Sequence, residues 1–259
     1  MIETTYHLPG VPPIALLGDF HNGEAEPILH SLEQHHPSVI CIAGDVVYAK
    51  APESGLIVAE QRHVLPLLRG CVAIAPTFMS LGNHESILCP EDMALIRGTE
   101  VTVLDNTYTT TDDGLVIAGL TSHYILDRRA FRAAHPSIEP YPRYQHDPEW
   151  QPIQEPDTDW LNELPDGYSI LLSHHPEYYP LIPKNINLVL AAHAHGGQVR
   201  FYNPFRRQWQ GLYAPGQGWF PRYTSGKHGR MIITRGLTNT ARVPRINNPT
   251  EIVYISPAG

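Results

Sequence analysis

Short apolar runs recur along the chain, and several of them end in the same kind of polar residue. Ile14–Leu17 runs into Gly18-Asp19-Phe20-His21, and Val39–Ala43 runs into Gly44-Asp45. Apolar positions at 71–75 and 78–79 lead to Leu81-Gly82-Asn83-His84-Glu85. Further on, 168–172 ends in Ser173-His174-His175-Pro176, and 186–190 leads to His193-Ala194-His195. Between the first two runs, Ala25, Ile28, Leu29 and Leu32 repeat at i, i+3, i+4 and i+7, which predicts an amphipathic helix. Pro27 falls in its first turn, where proline is tolerated. Leu56, Ile57, Val64, Leu65 and Leu68 predict another helix, which Pro66 must kink or split. Continuous apolar runs alternating with helices are the pattern of parallel strands buried on both faces. Sites in such sheets form beyond the carboxyl ends of the strands. Asp19, His21, Asp45, Asn83 and His84 are therefore expected along one sheet edge.

The pattern then changes. Residues 90–96 predict a short helix closed by Gly98, and 101–104 a strand. Asp112-Asp113-Gly114 between 107–111 and 115–118 predicts a β-hairpin, because Asp-Gly is a strong turn signal. From 128 to 157 periodicity is lost, prolines recur, and Arg128, Arg129, Arg132 and Arg143 make the stretch basic. It reads as a surface excursion, with a lid over substrate as the alternative. Trp160, Leu161 and Leu164 predict a short helix, and 230–234 and 251–255 predict strands. No repeat or linker divides residues 1–259, so a single domain is expected.

Composition sharpens this reading. With 42% apolar and 17% charged residues in 259, the chain is of globular type. Its 15 histidines supply the commonest metal ligand. A formal charge of -8 argues against general nucleic-acid binding. Anionic substrates stay compatible with it, because bound cations would invert the local sign. Cys41, Cys71 and Cys89 are expected as buried free thiols of a reducing compartment. Neither a leader segment nor an apolar run of membrane-spanning length is visible, so no membrane span and a cytoplasmic location are expected. His35, His36, His63 and His228 are expected at the surface, and Trp219 and Phe220 in the core or a pocket wall.

The polar ends of the five runs share one chemistry. Imidazole, carboxylate and amide oxygen suit divalent Zn, Mn or Fe, and no cysteine is among them, which disfavours a structural thiolate zinc site. Asp45 is the natural bridge if two ions bind. Such a pair lowers the pKa of a bound water and stabilises both oxygens of an in-line displacement.

Asp19-x-His21, Gly44-Asp45, Gly82-Asn83-His84-Glu85, Ser173-His174-His175 and His193-x-His195 occur in the order of the motifs D-x-H, G-D, G-N-H-[DE], H and G-H-x-H. In this the chain resembles the calcineurin-like metallophosphoesterases. Residues 196–201, 216–220, 235–237 and 249–253 resemble a bacterial phosphodiesterase branch of that superfamily. The resemblance implies a mixed α/β fold, a four-layer αββα sandwich of two mixed β-sheets flanked by helices. It implies one ion held by Asp19, His21, Asp45 and His195, and a second by Asp45, Asn83, His174 and His193. His84 would be the catalytic residue, meeting the phosphate and the leaving oxygen. Glu85 would be a supporting residue, as would His175, the alternative ligand of the 174/175 doublet, and Arg128 and Arg129 candidate substrate contacts. The implied reaction is hydrolysis of a small phosphoester, most readily a diester, by in-line attack of a metal-bound hydroxide. A silent scaffold of the same fold that only binds partners is the alternative. A metal-dependent amide or ester hydrolase is less well matched to the Gly-Asn-His-Glu block. Three departures stand out: Ala192 where the superfamily has Gly, Tyr48 at a usually polar position, and the basic stretch at 203–207.

Overall fold

The computed structural model describes residues 1–49, 55–122, 156–205, 207–215, 217–239 and 244–258. The expected excursion at 128–157, with Arg128 and Arg129, lies outside them except for its last two residues.

Strands β1 (Ile2–Leu8), β2 (Ile14–Leu17), β3 (Val39–Ala43), β4 (Thr77–Ser80) and β5 (Thr102–Leu104) belong to one sheet. A second sheet takes β6 (Thr107–Thr110), β7 (Val116–Leu120), β8 (Ser169–Ser173) and β9 (Leu188–Ala191). Two small hairpins follow, β10 (Arg200–Asn203) with β11 (Gln208–Gly211) and β12 (Tyr213–Ala214) with β13 (Gly218–Trp219). Strands β14 (Gly226–His228) and β15 (Met231–Ile233) complete the second sheet, and β16 (Glu251–Pro257) returns to the first. The orders are β1-β16-β2-β3-β4-β5 and β14-β15-β9-β8-β7-β6. Strands β2 to β5 are mutually parallel, and so are β7, β8, β9 and β15. The carboxyl ends of the chemistry-bearing strands therefore line up.

The inner faces of the two sheets meet in a core that includes Leu16, Cys41, Ile117, Leu172, Leu190 and Val253. The outer face of the first sheet is covered by α1 (Glu26–His35), α2 (Ile57–Glu60), α3 (Val64–Ile74) and α4 (Pro90–Arg97). Helix α1 buries Ile28 and Leu32, each worth about 1.5–3 kcal/mol of apolar transfer. The outer face of the second sheet is covered differently. There 3-10 turns at Asp159–Glu163 and Pro176–Leu181 pack Leu161, Tyr178 and Ile182 against β7, β9 and β15.

Two local expectations change. Residues 71–74 are helical, not strand: Cys71 completes the buried face Val64, Leu67, Leu68, and β4 starts only at Thr77. The split expected at Pro66 falls earlier, at 61–63, and the proline sits in the first turn of α3. Strand β1, not anticipated, pairs in parallel with β16. The three cysteines are free and buried. Burial pushes the thiols of Cys41 and Cys71 up to about 12, which keeps them unreactive. No helix among the described residues is long and apolar enough to cross a membrane.

Candidate metal centre

Five loops meet at the common edge of the two sheets. Asp19 and His21 follow β2, Asp45 follows β3, and Asn83 and His84 follow β4. From the other sheet, His174 follows β8, and His193 and His195 follow β9. All but His84 are buried. Asp19, His21, Asp45, His193 and His195 have φ between 45° and 64°, a left-handed conformation uncommon outside glycine. Five such residues in one cluster mark a backbone held in place by its surroundings, as at functional sites.

Their ligand atoms form two groups bridged by a third, of His21, Asp45 and His84. Asp19, His21 and His195 bring theirs within 4.8 Å of one another, and so do Asp45, His174 and His193. Asp45 lies between them, with Oδ2 3.8 Å from His21 Nε2 and 3.2 Å from His174 Nε2. Asn83 Oδ1 is 3.1 Å from His174 Nε2, and His193 Nδ1 is 3.2 Å from the same nitrogen. Backbone carbonyls fix two of the rings. His174 Nδ1 donates to Ala43 O at 2.7 Å and His21 Nδ1 to Val47 O at 3.2 Å, so both present Nε2 to the centre.

Electrostatics keeps the ring donors unprotonated, with His174 the exception. Burial holds His21, His193 and His195 below the ordinary imidazole range. Burial works against ionising Asp45, yet His174 and His84 beside it hold its carboxyl well below the usual range. Burial also works against charging His174, but Asp45 and Asp19 raise it to about 10. A proton on His174 thus stands where a cation would. Two buried atoms aimed into the set have no hydrogen-bond partner: Asp19 Oδ2 and His21 Nε2. Buried polar atoms are seldom left so. Orphaned N and O atoms among side chains that converge from two sheets fit divalent cations.

Residues 12–197 match the family model of the calcineurin-like phosphoesterases. The chain belongs to that family. Among solved structures it is similar to TT1561 of Thermus thermophilus, at 15% identity over 77% of this chain and 87% of the other, with a TM-score of 0.46. It is also similar to the sulfate thiohydrolase SoxB of Thermus thermophilus in complex with glycerol. There identity is 13% over 88% of this chain and 52% of the other, with a TM-score of 0.41. No curated protein matches it by sequence.

Further residues pack around these clustered donor atoms. His84 is partly open to solvent. The N–H of Ala49 donates to its Nδ1 at 2.9 Å, so the neutral ring carries its proton on Nε2, 3.9 Å from Asp45 Oδ2. Burial lowers its pKa, with Asp45 opposing. Glu85 points away from the ligand groups. Its carboxylate accepts the N–H groups of Gly82, Asp45, Val46 and Val47 at 2.7–3.3 Å, tying the loops after β3 and β4 together. Burial and the Asp45 charge push it up to about 7. Tyr48, at the usually polar position, holds its ring 5.9 Å from that of His84 and 40% exposed, at the edge of the site. Ala192 is accommodated by Gly18, where an added Cβ would meet the Ala192 methyl at 2.6 Å.

His175 is buried beside the second group. Ser122 Oγ is 2.6 Å from its Nε2, and Glu177 Oε1 is 3.1 Å from its Nδ1. The same Glu177 oxygen is 3.9 Å from His193 Nε2. On the other side, Arg245 Nη2 lies 3.2 Å from His195 Nδ1 and donates to Arg235 O. Sequence reasoning misses Ser122, Glu177 and Arg245, because none stands in a motif. Trp219 and Phe220, expected in the core or a pocket wall, are 66% and 75% exposed; neither is in the core, and Phe220 lines a surface cleft with Phe201 and Arg222.

Proposed function

We propose that the protein is a binuclear metal-dependent phosphoesterase that hydrolyses a small phosphodiester. The observation that carries this is Asp45, whose carboxylate lies between two groups of buried donors within ion-binding reach. In this reading Asp19, His21 and His195 hold one divalent ion, and Asn83, His174 and His193 the other, with Asp45 shared. Bound there, Mn, Fe or Zn would acidify a water and offset phosphoryl charge during in-line displacement. The chain's own residues do the rest. His84 presents Nε2–H towards the shared carboxylate from the solvent side, where the neutral ring can donate a hydrogen bond to a phosphoryl or leaving oxygen and stabilise the charge that develops there. The neutral amide of Asn83 limits the negative charge gathered around an anionic substrate. Glu85 fixes the positions of Asp45 and His84 through the backbone. The resemblance of the C-terminal stretch to a phosphodiesterase branch supports a diester over a monoester.

Purified protein reconstituted with manganese should hold close to two ions and cleave bis-p-nitrophenyl phosphate. His84→Ala should keep both ions while turnover falls by about 10²-fold or more, the scale of losing one preorganised hydrogen-bond donor to the transition state. Fully metallated protein that is inert on a broad phosphoester panel would leave a binding scaffold in its place. Loss of both ions in the His84 variant would make His84 a ligand instead of a donor to the substrate.

A further inference from the structure

Residues 178–250 contain ten Lys and Arg and no Asp or Glu, in a chain of formal charge -8. Most of this stretch lies beyond the family match, which ends at 197. It holds the β10–β11 and β12–β13 hairpins, whose aromatic side chains belong to no core. Phe201, Tyr202, Phe205, Trp209, Trp219 and Phe220 are between 38% and 97% exposed, with Phe205, just past β10, the extreme.

The register shows how unusual this is. Phe201 pairs with Gln210 on one face of the β10–β11 hairpin, and Tyr202 pairs with Trp209 on the other. A hairpin with one face on a core would be aromatic on one side only. Phe201 and Phe220 line a cleft of about 410 Å³ with Arg222 in its wall, so the two hairpins share a surface. Arg207, Arg222 and Lys227 are exposed, and the Arg200 guanidinium lies 6.0 Å from the centre of the Trp209 ring. The surface is rooted on the metal-site loop, since the backbone of Gly197 packs directly on Gly211 of β11.

Exposed Trp, Tyr and Phe prefer the boundary between water and acyl chains, and Arg and Lys beside them prefer anionic headgroups. The acidic remainder of the molecule is repelled by such a surface, so an approaching molecule would be turned to present this basic face. We propose that this face docks on an anionic lipid bilayer, with Phe205, Trp219 and Phe220 entering the interface. Single-stranded nucleic acid fits less well. The pairs Tyr202–Trp209 and Tyr213–Trp219 meet edge to face at 68° and 65°, which leaves no row of parallel rings for successive bases. The proposal is independent of the reaction assigned to the metal centre.

The test is co-sedimentation of the full chain with vesicles of phosphatidylcholine, with and without about 30 mol% phosphatidylglycerol. Binding should require the anionic lipid, weaken with added salt, and shift tryptophan emission to the blue. The triple variant Phe205→Ser, Trp219→Ser, Phe220→Ser should bind about tenfold or more weakly. Its circular dichroism, metal content and hydrolysis of a soluble diester should match the parent. Equal sedimentation of variant and parent, or no sedimentation of the parent, overturns the proposal. So does binding of single-stranded DNA, or vesicle-free self-association, that the same substitutions abolish.

Discussion

Glu177 sits where two buried histidines need an acceptor. One of its oxygens is 3.1 Å from His175 Nδ1 and 3.9 Å from His193 Nε2, and its other oxygen has no partner. A carboxylate that accepts the outer N–H of a ligand histidine fixes its tautomer and raises its basicity. If His193 offers Nδ1 to an ion shared with His174, Glu177 is the group that keeps the proton on Nε2. Glu177→Ala should then weaken the second ion by about 10–100-fold and leave the first untouched, as read by calorimetric metal titration. Two unaltered affinities would sink this role. Loss of a third bound ion would instead make His175, Glu177 and His193 a separate site, since their ligand atoms also lie within 4.8 Å of one another. The motif residues differ from Glu177 in how they reach the site. Asp19, Asp45, Asn83, His174 and His193 are legible in the sequence because each ends an apolar run, and strand geometry carries the ends of parallel strands to one edge. Ser122 and Arg245 act across 53 and 50 residues of chain, and no spacing rule connects them to His175 and His195.

At the scale of elements, the site depends on two loops that cross backbone to backbone. Gly44, with φ of 77°, ends β3, and an added Cβ there would meet the Gly82 backbone N at 2.6 Å. A Cβ on Gly82 would collide with Asp45 Oδ1. The loops after β3 and β4 can therefore approach closely enough for Glu85 to bond both, and Asp45 Oδ1 can accept the His84 N–H at 2.8 Å. Gly82→Ala should push the Asp45 carboxylate out of position. Its expected cost is about 1–3 kcal/mol in stability, together with loss of both ions if Asp45 is shared between them as proposed. Urea unfolding and metal analysis check the two effects separately, and a variant that keeps both ions would show that the loops have more slack than these contacts allow. The same region shows why boundaries were harder to read than motifs. The apolar residues at 71–75 fit a strand or a buried helix face equally well, and the partners of Cys71 in α3 decide for the helix. Strand β1 alternates half-buried and exposed residues, a weak period-two signal that only its pairing with β16 makes stable.

At the scale of the whole molecule, the centre is also a joint between the sheets. His174, from the second sheet, bonds the Ala43 carbonyl at the end of β3 in the first. Asp19, from the first, accepts the N–H of His193 from the second at 3.2 Å. Ions held between these residues would lock the two sheets, and binding at 100 to 1,000 times the dissociation constant adds about 3–4 kcal/mol. For a chain of this size that is on the order of 10 °C in Tm. Removing the ions should cost different amounts at different pH, and His174 gives the sign. In the metal-free protein its pKa is raised from 6.5 to about 10, so its proton stabilises the fold fully below 6.5 and is lost as pH rises through about 10. A proton partly replaces the cation in acid and cannot do so in base. The same proton competes with the metal, which weakens binding in acid. Both effects act in one direction: the drop in Tm on chelation should be small near pH 6 and grow steadily towards pH 9. Scanning calorimetry with and without chelator at several pH values measures it directly. Residues 1–259 should melt in one transition if they form a single folding unit, as the pairing of β1 with β16 at the two ends of the chain favours. A chelation effect that is independent of pH would mean that His174 is not where proton and metal compete.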